Sequence, residues 1–255
     1  MEQIVRYRED VFGEVVILGV SWDLLYVVFI AVAVLLVAHA IIMAALANKK
    51  MDKPSAEGRR VMRHESFDRW FHWIMAASII VLIVTGVAPI LGWRLAWLDI
   101  HWISGLILTF VVVVHIIRGF FWQDFKSMLL GVKDFGEPFD SAKKPGKYSF
   151  EQKGMHWTVT VVALAVIVTG VLMFMEMTTP FWERTNDMPE DTLGLIFLLH
   201  GLSTLALVAL AATHIYFSLR PEKLFYTRSM ISGWISEEEM AANHDTGKWS
   251  PKEAD

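Results

Sequence analysis

The sequence predicts an all-α membrane protein. Its expected form is a four-helix transmembrane bundle built from a duplicated two-helix unit, with one extra transmembrane helix at the N-terminal end. Three observations carry this. Hydrophobic residues make up 55% of the 255 positions, and they fall in charge-free blocks of roughly 18 to 28 residues, long enough for a helix to cross about 30 Å of hydrocarbon. The last four blocks repeat as two pairs. The loops on one side carry nearly all the basic residues.

The charge-free blocks are Leu24–Ala47, Trp70–Trp93, Ile100–Ile117, Gly154–Met175 and Thr192–Leu219. Each segment in lipid must satisfy its own backbone, so each is read as a helix. Residues 1–23 lack the basic start, short apolar core and small-residue site of a cleaved signal. They are expected to form an outer-face segment, followed by the extra helix at 24–47, the bundle at 60–232 and a polar cytoplasmic tail at 233–255 that extends from the bundle.

Orientation follows from charge. The segment 48–69 carries Lys49, Lys50, Lys53, Arg59, Arg60, Arg63 and Arg69. The segment 118–153 carries Arg118, Lys126, Lys133, Lys143, Lys144, Lys147 and Lys153. On the other side Arg94 stands in one loop, and Arg184 faces Glu176, Glu183, Asp187, Glu190 and Asp191 in the other. The N-terminus is therefore expected outside and the C-terminus inside. The multi-pass chain belongs in a bacterial or archaeal cytoplasmic membrane.

The sequence has no cysteine, which excludes thiolate zinc, iron–sulfur clusters and covalent haem. It has 9 histidines, and histidine within a lipid-spanning helix needs a functional reason. Its 11 tryptophans suit interfacial belts. The net charge of -4 points to no nucleic-acid partner.

The repeat places the histidines. Arg69-Trp-Phe-His72-Trp73 matches Lys153-Gly-Met-His156-Trp157. Val84-Thr-Gly-Val87 and Val168-Thr-Gly-Val171 follow at the same distance. His101-x13-His115 then matches His200-x13-His214. Fourteen residues fall about 40° short of four helical turns and rise about 21 Å. Each pair thus shares a helix face, with one imidazole near each membrane surface. Two such helices can clamp two haems across the bilayer, each with two imidazoles and no open coordination position. A lone histidine in a bundle is more often a packing residue or proton relay; two duplicated pairs favour haem. Gly86 and Gly170 fit close approach of a porphyrin or simple helix packing.

Residues 60–250 resemble the gamma subunit of membrane-bound formate dehydrogenase and, more broadly, prokaryotic four-helix di-haem cytochromes b, including those paired with nickel–iron hydrogenases. The resemblance rests on Asp68-Arg69-Trp-Phe-His72-Trp73, on the final His-x13-His, and on Lys147-Tyr148-Ser-Phe-Glu-Gln152-Lys153. It implies two non-covalent b haems, an outer one on His101 and His200 and an inner one on His72 and His214. His115 is the alternative inner ligand, by repeat symmetry. The resemblance also implies a quinone site near Ser149, Gln152 and His156. Ser149 stands where relatives commonly have asparagine, and Ser149 with Gln152 also reads as a helix capping box. His156 faces quinone, a haem propionate or a neighbouring side chain. Arg69, Arg118 and Arg220 suit propionates or topology alone. His39 is expected to pack or touch a partner, and His64 and His244 to be solvated.

The implied function is that of a membrane anchor and quinone-reactive subunit of a respiratory oxidoreductase. It passes electrons between an outer-face redox subunit (iron–sulfur or multihaem cytochrome) and quinone, within a hetero-oligomer that includes a catalytic subunit. A stand-alone superoxide-to-quinone oxidoreductase is the alternative, but it calls for a positive outer surface, and these outer loops are acidic. A histidine-based proton-coupled transporter needs carboxylates or broken helices near the midplane, and the helix interiors have no carboxylate.

Overall fold

A computed structural model describes residues 4–46, 54–122, 125–140 and 143–250. The expected helix end at Ala47 and the basic residues Lys49, Lys50, Lys53 and Lys252 lie outside these residues.

Five helices are long and apolar enough to cross a membrane: α1 (Asp23–Leu46), α2 (Ser66–Val87), α3 (Trp97–Phe121), α4 (Phe150–Met175) and α5 (Glu190–Ser218). Each expected span falls on one of these helices, and each helix starts before its charge-free window, but α2 ends at Val87 and residues 88–93 of the expected Trp70–Trp93 span form turns. α3 begins at Trp97 and continues through Arg118, whose charge is met by Asp68 of α2 at 3.0 Å while the backbone ladder goes on. Acidic residues open several helices (Asp23, Asp68, Glu151, Glu190), where they complement the helix dipole. Short 3-10 turns, Phe125–Met128 and Asp134–Phe139, follow α3.

The chain divides into two compact units. The first comprises Met1–His39, Ala77–Phe110 and Val159–Ala212. Here residues 1–23, expected as an unspecified outer segment, contain an antiparallel hairpin of β1 (Val5–Glu9) and β2 (Val15–Val20). Its turn is set by Asp10, whose carboxylate accepts from the backbone N–H of Phe12 at 2.9 Å and of Glu14 at 2.8 Å. Gly13 takes φ +82°, which favours glycine. The hairpin lies against α5 where that helix has no side chain. A Cβ on Gly194 would stand 2.0 Å from the carbonyl oxygen of Ile17, and one on Gly201 would stand 3.0 Å from Val20. Arg8 pairs with Glu190 at 2.9 Å at the start of α5.

The second unit comprises Ala40–Ala76, Val111–Thr158 and Thr213–Asp255. It overturns the expectation that the tail extends from the bundle. α6 (Leu224–Ser232) ends at Gly233, which adopts φ +95°, a left-handed helix cap. β4 (Trp234–Ser236) then pairs with β3 (Arg60–Met62), and α7 (Glu237–Asn243) follows. Val61, Ile235 and Met240 form a small apolar core. Ser236 and Glu239 cap α7 reciprocally, serine hydroxyl to backbone N–H at 3.1 Å and carboxylate to backbone N–H at 2.9 Å. Tail polarity misled the expectation because its polar residues find partners here: Glu239 is buried and pairs with Arg228.

His244 is likewise buried, at 2% exposure, and not solvated. Its Nε2 lies 2.8 Å from the Arg63 guanidinium and its Nδ1 2.7 Å from the carbonyl of Gly146. Guanidinium can only donate, so Nε2 accepts and Nδ1–H donates, which fixes a neutral ring. Burial first, then the Arg63 charge, holds the His244 pKa down to about 4. His64, also expected to be solvated, is half-buried beside Tyr148 with ring centroids 6.3 Å apart. Burial, then Arg63 and Lys147, pushes its pKa down to about 2.

Candidate functional site: paired histidines

Six of the nine histidines meet as three pairs. In the first unit, His101 from α3 and His200 from α5 have ring centroids 6.3 Å apart, at 70°. In the second unit, His72 from α2 and His214 from α5 stand 6.3 Å apart at 51°. In the same unit, His115 from α3 and His156 from α4 stand 6.4 Å apart at 65°.

That separation is chemically specific. A ring nitrogen lies about 1.1 Å from its centroid, so the nitrogens of such a pair can come no closer than about 4 Å, beyond hydrogen-bond reach. The imidazoles cannot satisfy each other. A metal–imidazole bond of about 2 Å on each side, by contrast, spans that gap. The separation of each pair would let its two histidines hold one metal between them.

The His101–His200 pair is also oriented for it. Thr85, on α2, places its hydroxyl oxygen 2.8 Å from His101 Nδ1 and 2.7 Å from the carbonyl of Val81. The hydroxyl has one proton, which goes to the carbonyl, so its oxygen accepts from Nδ1–H. Thr169, on α4, repeats this with His200 Nδ1 at 2.9 Å and the carbonyl of Ala165 at 2.6 Å. Both rings then present an unprotonated Nε2, the form a metal takes, with the opposite nitrogen held by a second-layer acceptor. The next residue is glycine in each repeat. A Cβ on Gly86 would stand 3.6 Å from His101 Cε1, and one on Gly170 3.3 Å from His200 Cε1. Gly170 therefore gives the His200 ring room that a methyl would crowd, whereas a methyl at Gly86 would only touch His101.

In the second unit, Trp73 donates its indole N–H to the carbonyl of Met230 and Trp157 donates to that of Met128, both at 2.9 Å. Each indole stands edge-on to the histidine before it, at 88° for His72 and 81° for His156. His72 Nδ1 is buried without a hydrogen-bond partner among the described residues. Arg118 pairs with Asp68 at 3.0 Å, and Lys153 with Asp134 at 2.8 Å.

The expected residues fall out as follows. His101 with His200, and His72 with His214, come together as the resemblance implied. His115 has its ring contact with His156 and none with His214 among the described contacts. Ser149 and Gln152 are engaged with each other, Ser149 N–H to the Gln152 amide oxygen at 3.1 Å and Gln152 N–H to the serine hydroxyl at 3.4 Å. This is the capping box at the start of α4, and it leaves the amide nitrogen of Gln152 for other contacts. Arg69 donates to Ser66 at 3.0 Å and to the carbonyl of Ile231, and Arg220 pairs with Glu222. His39 lies on α1 and is not one of the six. Sequence reasoning passed over Thr85 and Thr169 as braces, although the repeated Val-Thr-Gly-Val was the available signal.

Comparison with known proteins identifies the family. Residues 63–233 match the family described as prokaryotic cytochrome b561. The formate dehydrogenase cytochrome b556 subunit of Haemophilus influenzae is 23% identical over 194 residues, covering 69% of this chain and 77% of that protein. The formate dehydrogenase cytochrome b556(fdo) subunit of Escherichia coli (strain K12) is 22% identical over 196 residues, covering 69% and 86%. With the family match spanning well over half its length and five helices able to cross a bilayer, this chain belongs to the prokaryotic cytochrome b561 family, as a multi-pass bacterial membrane protein of electron transport that binds haem b.

Proposed function

We propose that the chain is the membrane anchor of a respiratory oxidoreductase complex, passing electrons between an outer-face redox partner and membrane quinone through b haems on His101/His200 and His72/His214. The observation that carries this is the pair separation of 6.3 Å at both sites. A haem with two imidazole ligands supplies one-electron transfer and has no coordination position for substrate. The chain's own residues do the rest. Thr85 and Thr169 hold the ligand tautomers, and Trp73 orients His72 at the polar end of α2.

The relatives are named as subunits of formate dehydrogenase, which supports a hetero-oligomer with a formate dehydrogenase-like or hydrogenase-like catalytic subunit. The lack of cysteine supports a separate outer redox subunit, an iron–sulfur or multihaem protein, because this chain cannot bind an iron–sulfur cluster itself. The N-outside, C-inside orientation places the His72/His214 pair and the quinone on the cytoplasmic side. There the amide nitrogen of Gln152, at the start of α4 and without a hydrogen-bond partner among the described residues, is a donor for a quinone carbonyl. Each quinone takes two electrons and two protons, so protons drawn from the cytoplasm make the transfer electrogenic when it runs inward.

The test is haem content and reduction of the detergent-purified chain. His72→Ala and His101→Ala should each lose one b haem by pyridine haemochrome, and quinol should reduce the remaining haem of His101→Ala. Wild-type protein that is folded but binds no haem would end this reading and return the histidines to proton chemistry.

A further inference from the structure

We propose that His115 and His156 ligate a third haem, held in the second unit beside the one on His72 and His214. The inference rests on the reading that the other pairs hold haem, and extends it to a pair that the resemblance leaves without a role.

Distance is the first argument. His115 and His156 have centroids 6.4 Å apart, within a tenth of an ångström of the other two pairs. Their nitrogens cannot approach within about 4 Å, so a direct hydrogen bond between the rings is excluded. An iron between them fits two bonds of about 2 Å, the usual metal–imidazole length. A single bridging water would have to sit well off the line joining the rings to make two ordinary hydrogen bonds.

The repeat is the second argument. Exchanging the two repeats turns His72 into His156 and His214 into His115. The His72–His214 pair therefore becomes the His156–His115 pair, while His101–His200 becomes itself. The surroundings repeat as well. Trp73 and Trp157 hold equivalent indole N–H bonds of 2.9 Å to backbone carbonyls and stand edge-on to their histidines. Arg69 and Lys153 sit three residues before each of these histidines, one helical turn toward the basic end. Both cations are engaged within the protein, Arg69 with Ser66 at 3.0 Å and Lys153 with Asp134 at 2.8 Å, so they hold the two helix starts in equivalent ways. What aims His72 at its partner aims His156 at His115, and a site built on one is built on the other.

The consequence is a different haem count. The pair gives three haems per polypeptide, and His156 is an iron ligand and not a quinone contact. The experiment is haem-to-protein ratio by pyridine haemochrome on full-length protein in detergent, saturated with haemin. Wild type is compared with His72→Ala, His101→Ala, His115→Ala, His156→Ala and the double His115→Ala/His156→Ala. The expected ratios are three for wild type and two for every variant, including the double, since both of its changes empty one site. To separate ligation from misfolding, imidazole is added to His156→Ala: the third haem's low-spin spectrum should return. A wild-type ratio of two, lowered by His72→Ala and His101→Ala and untouched by the other changes, overturns the third haem and leaves the proposed function standing. A wild-type ratio of two that falls with His115→Ala and not with His72→Ala overturns both the third haem and the His72/His214 assignment. A third haem that persists in the double variant also overturns the proposal.

Discussion

Replacing Thr85 with valine removes one hydroxyl and keeps the shape of the side chain. In the native protein that oxygen accepts the Nδ1–H of His101 across 2.8 Å while giving its own proton to the carbonyl of Val81. Thr85 is 3% exposed, so no water takes the place of the lost acceptor. An imidazole N–H stripped of its partner in such a setting costs about 1–3 kcal/mol. At about 1.4 kcal/mol per tenfold, that weakens the ligand's hold on iron roughly 5- to 150-fold, and acceptors behind metal-bound histidines are in general worth about 10- to 100-fold. The assay is haem transfer from the purified protein to an acceptor apoglobin, followed at the Soret band. The control is Thr109→Val: Thr109 makes the same bond to a carbonyl one turn back, to Gly105 at 2.7 Å, without a histidine in reach of its hydroxyl among the described contacts. One haem should leave Thr85→Val at least about five times faster than Thr109→Val, and Thr169→Val should behave like Thr85→Val. If Thr85→Val and Thr109→Val release haem within twofold of each other, the threonine brace has no role in ligation.

Three further outcomes follow from particular contacts. Gly170→Ala should lower haem occupancy more than Gly86→Ala, because the new methyl meets His200 at 3.3 Å in the first case and His101 at an ordinary 3.6 Å in the second; titration with haemin reads the difference. Gly194→Ala puts a methyl 2.0 Å from the backbone of Ile17, so the hairpin must leave α5, and residues 5–20 should become sensitive to limited proteolysis. The tail contact should be acid-labile. Neutral His244 accepts from Arg63 and its pKa is held down to about 4 against an ordinary 6.5. Its contribution is therefore complete above about pH 6.5 and is lost as pH falls through about 4. Protection factors of the α7 amides, corrected for the pH dependence of intrinsic exchange, should fall over that window and stay constant in His244→Gln.

Much of this was legible in the chain. The spans could be read because lipid tolerates few charges, and charge-free windows of helical length are rare by accident. The His-x13-His spacing gave the shared face, since it closes almost four turns. Spacing along one helix does not say which helix lies opposite, so the meeting of His115 with His156 was out of reach, and His115 was set against His72 instead. The hairpin carried its turn in Asp10 and Gly13, but the reason it folds lies in Gly194 and Gly201, far along the chain. The buried Arg63–His244 contact joins residues 181 apart in sequence, and a polar tail gives no sign of where its charges will find partners. The Ser149–Gln152 box was visible as a pattern of two residues, and the structure forms it as capping.

The way the repeats exchange also bears on ancestry. A single two-helix hairpin carrying one His-Trp and one His-x13-His would, on associating with a copy of itself, reproduce all three histidine pairs from three histidines. In such an unfused ancestor every substitution would strike symmetric positions twice, altering both second-unit pairs together. Joining the copies in one chain broke that bond. His72 and His156 can now drift apart, and so can Asp68 and Gln152 one turn before them. With the proposed third haem bound, one polypeptide can thereby set the two second-unit centres to different potentials while the pair shared by both halves, His101 with His200, keeps its symmetry.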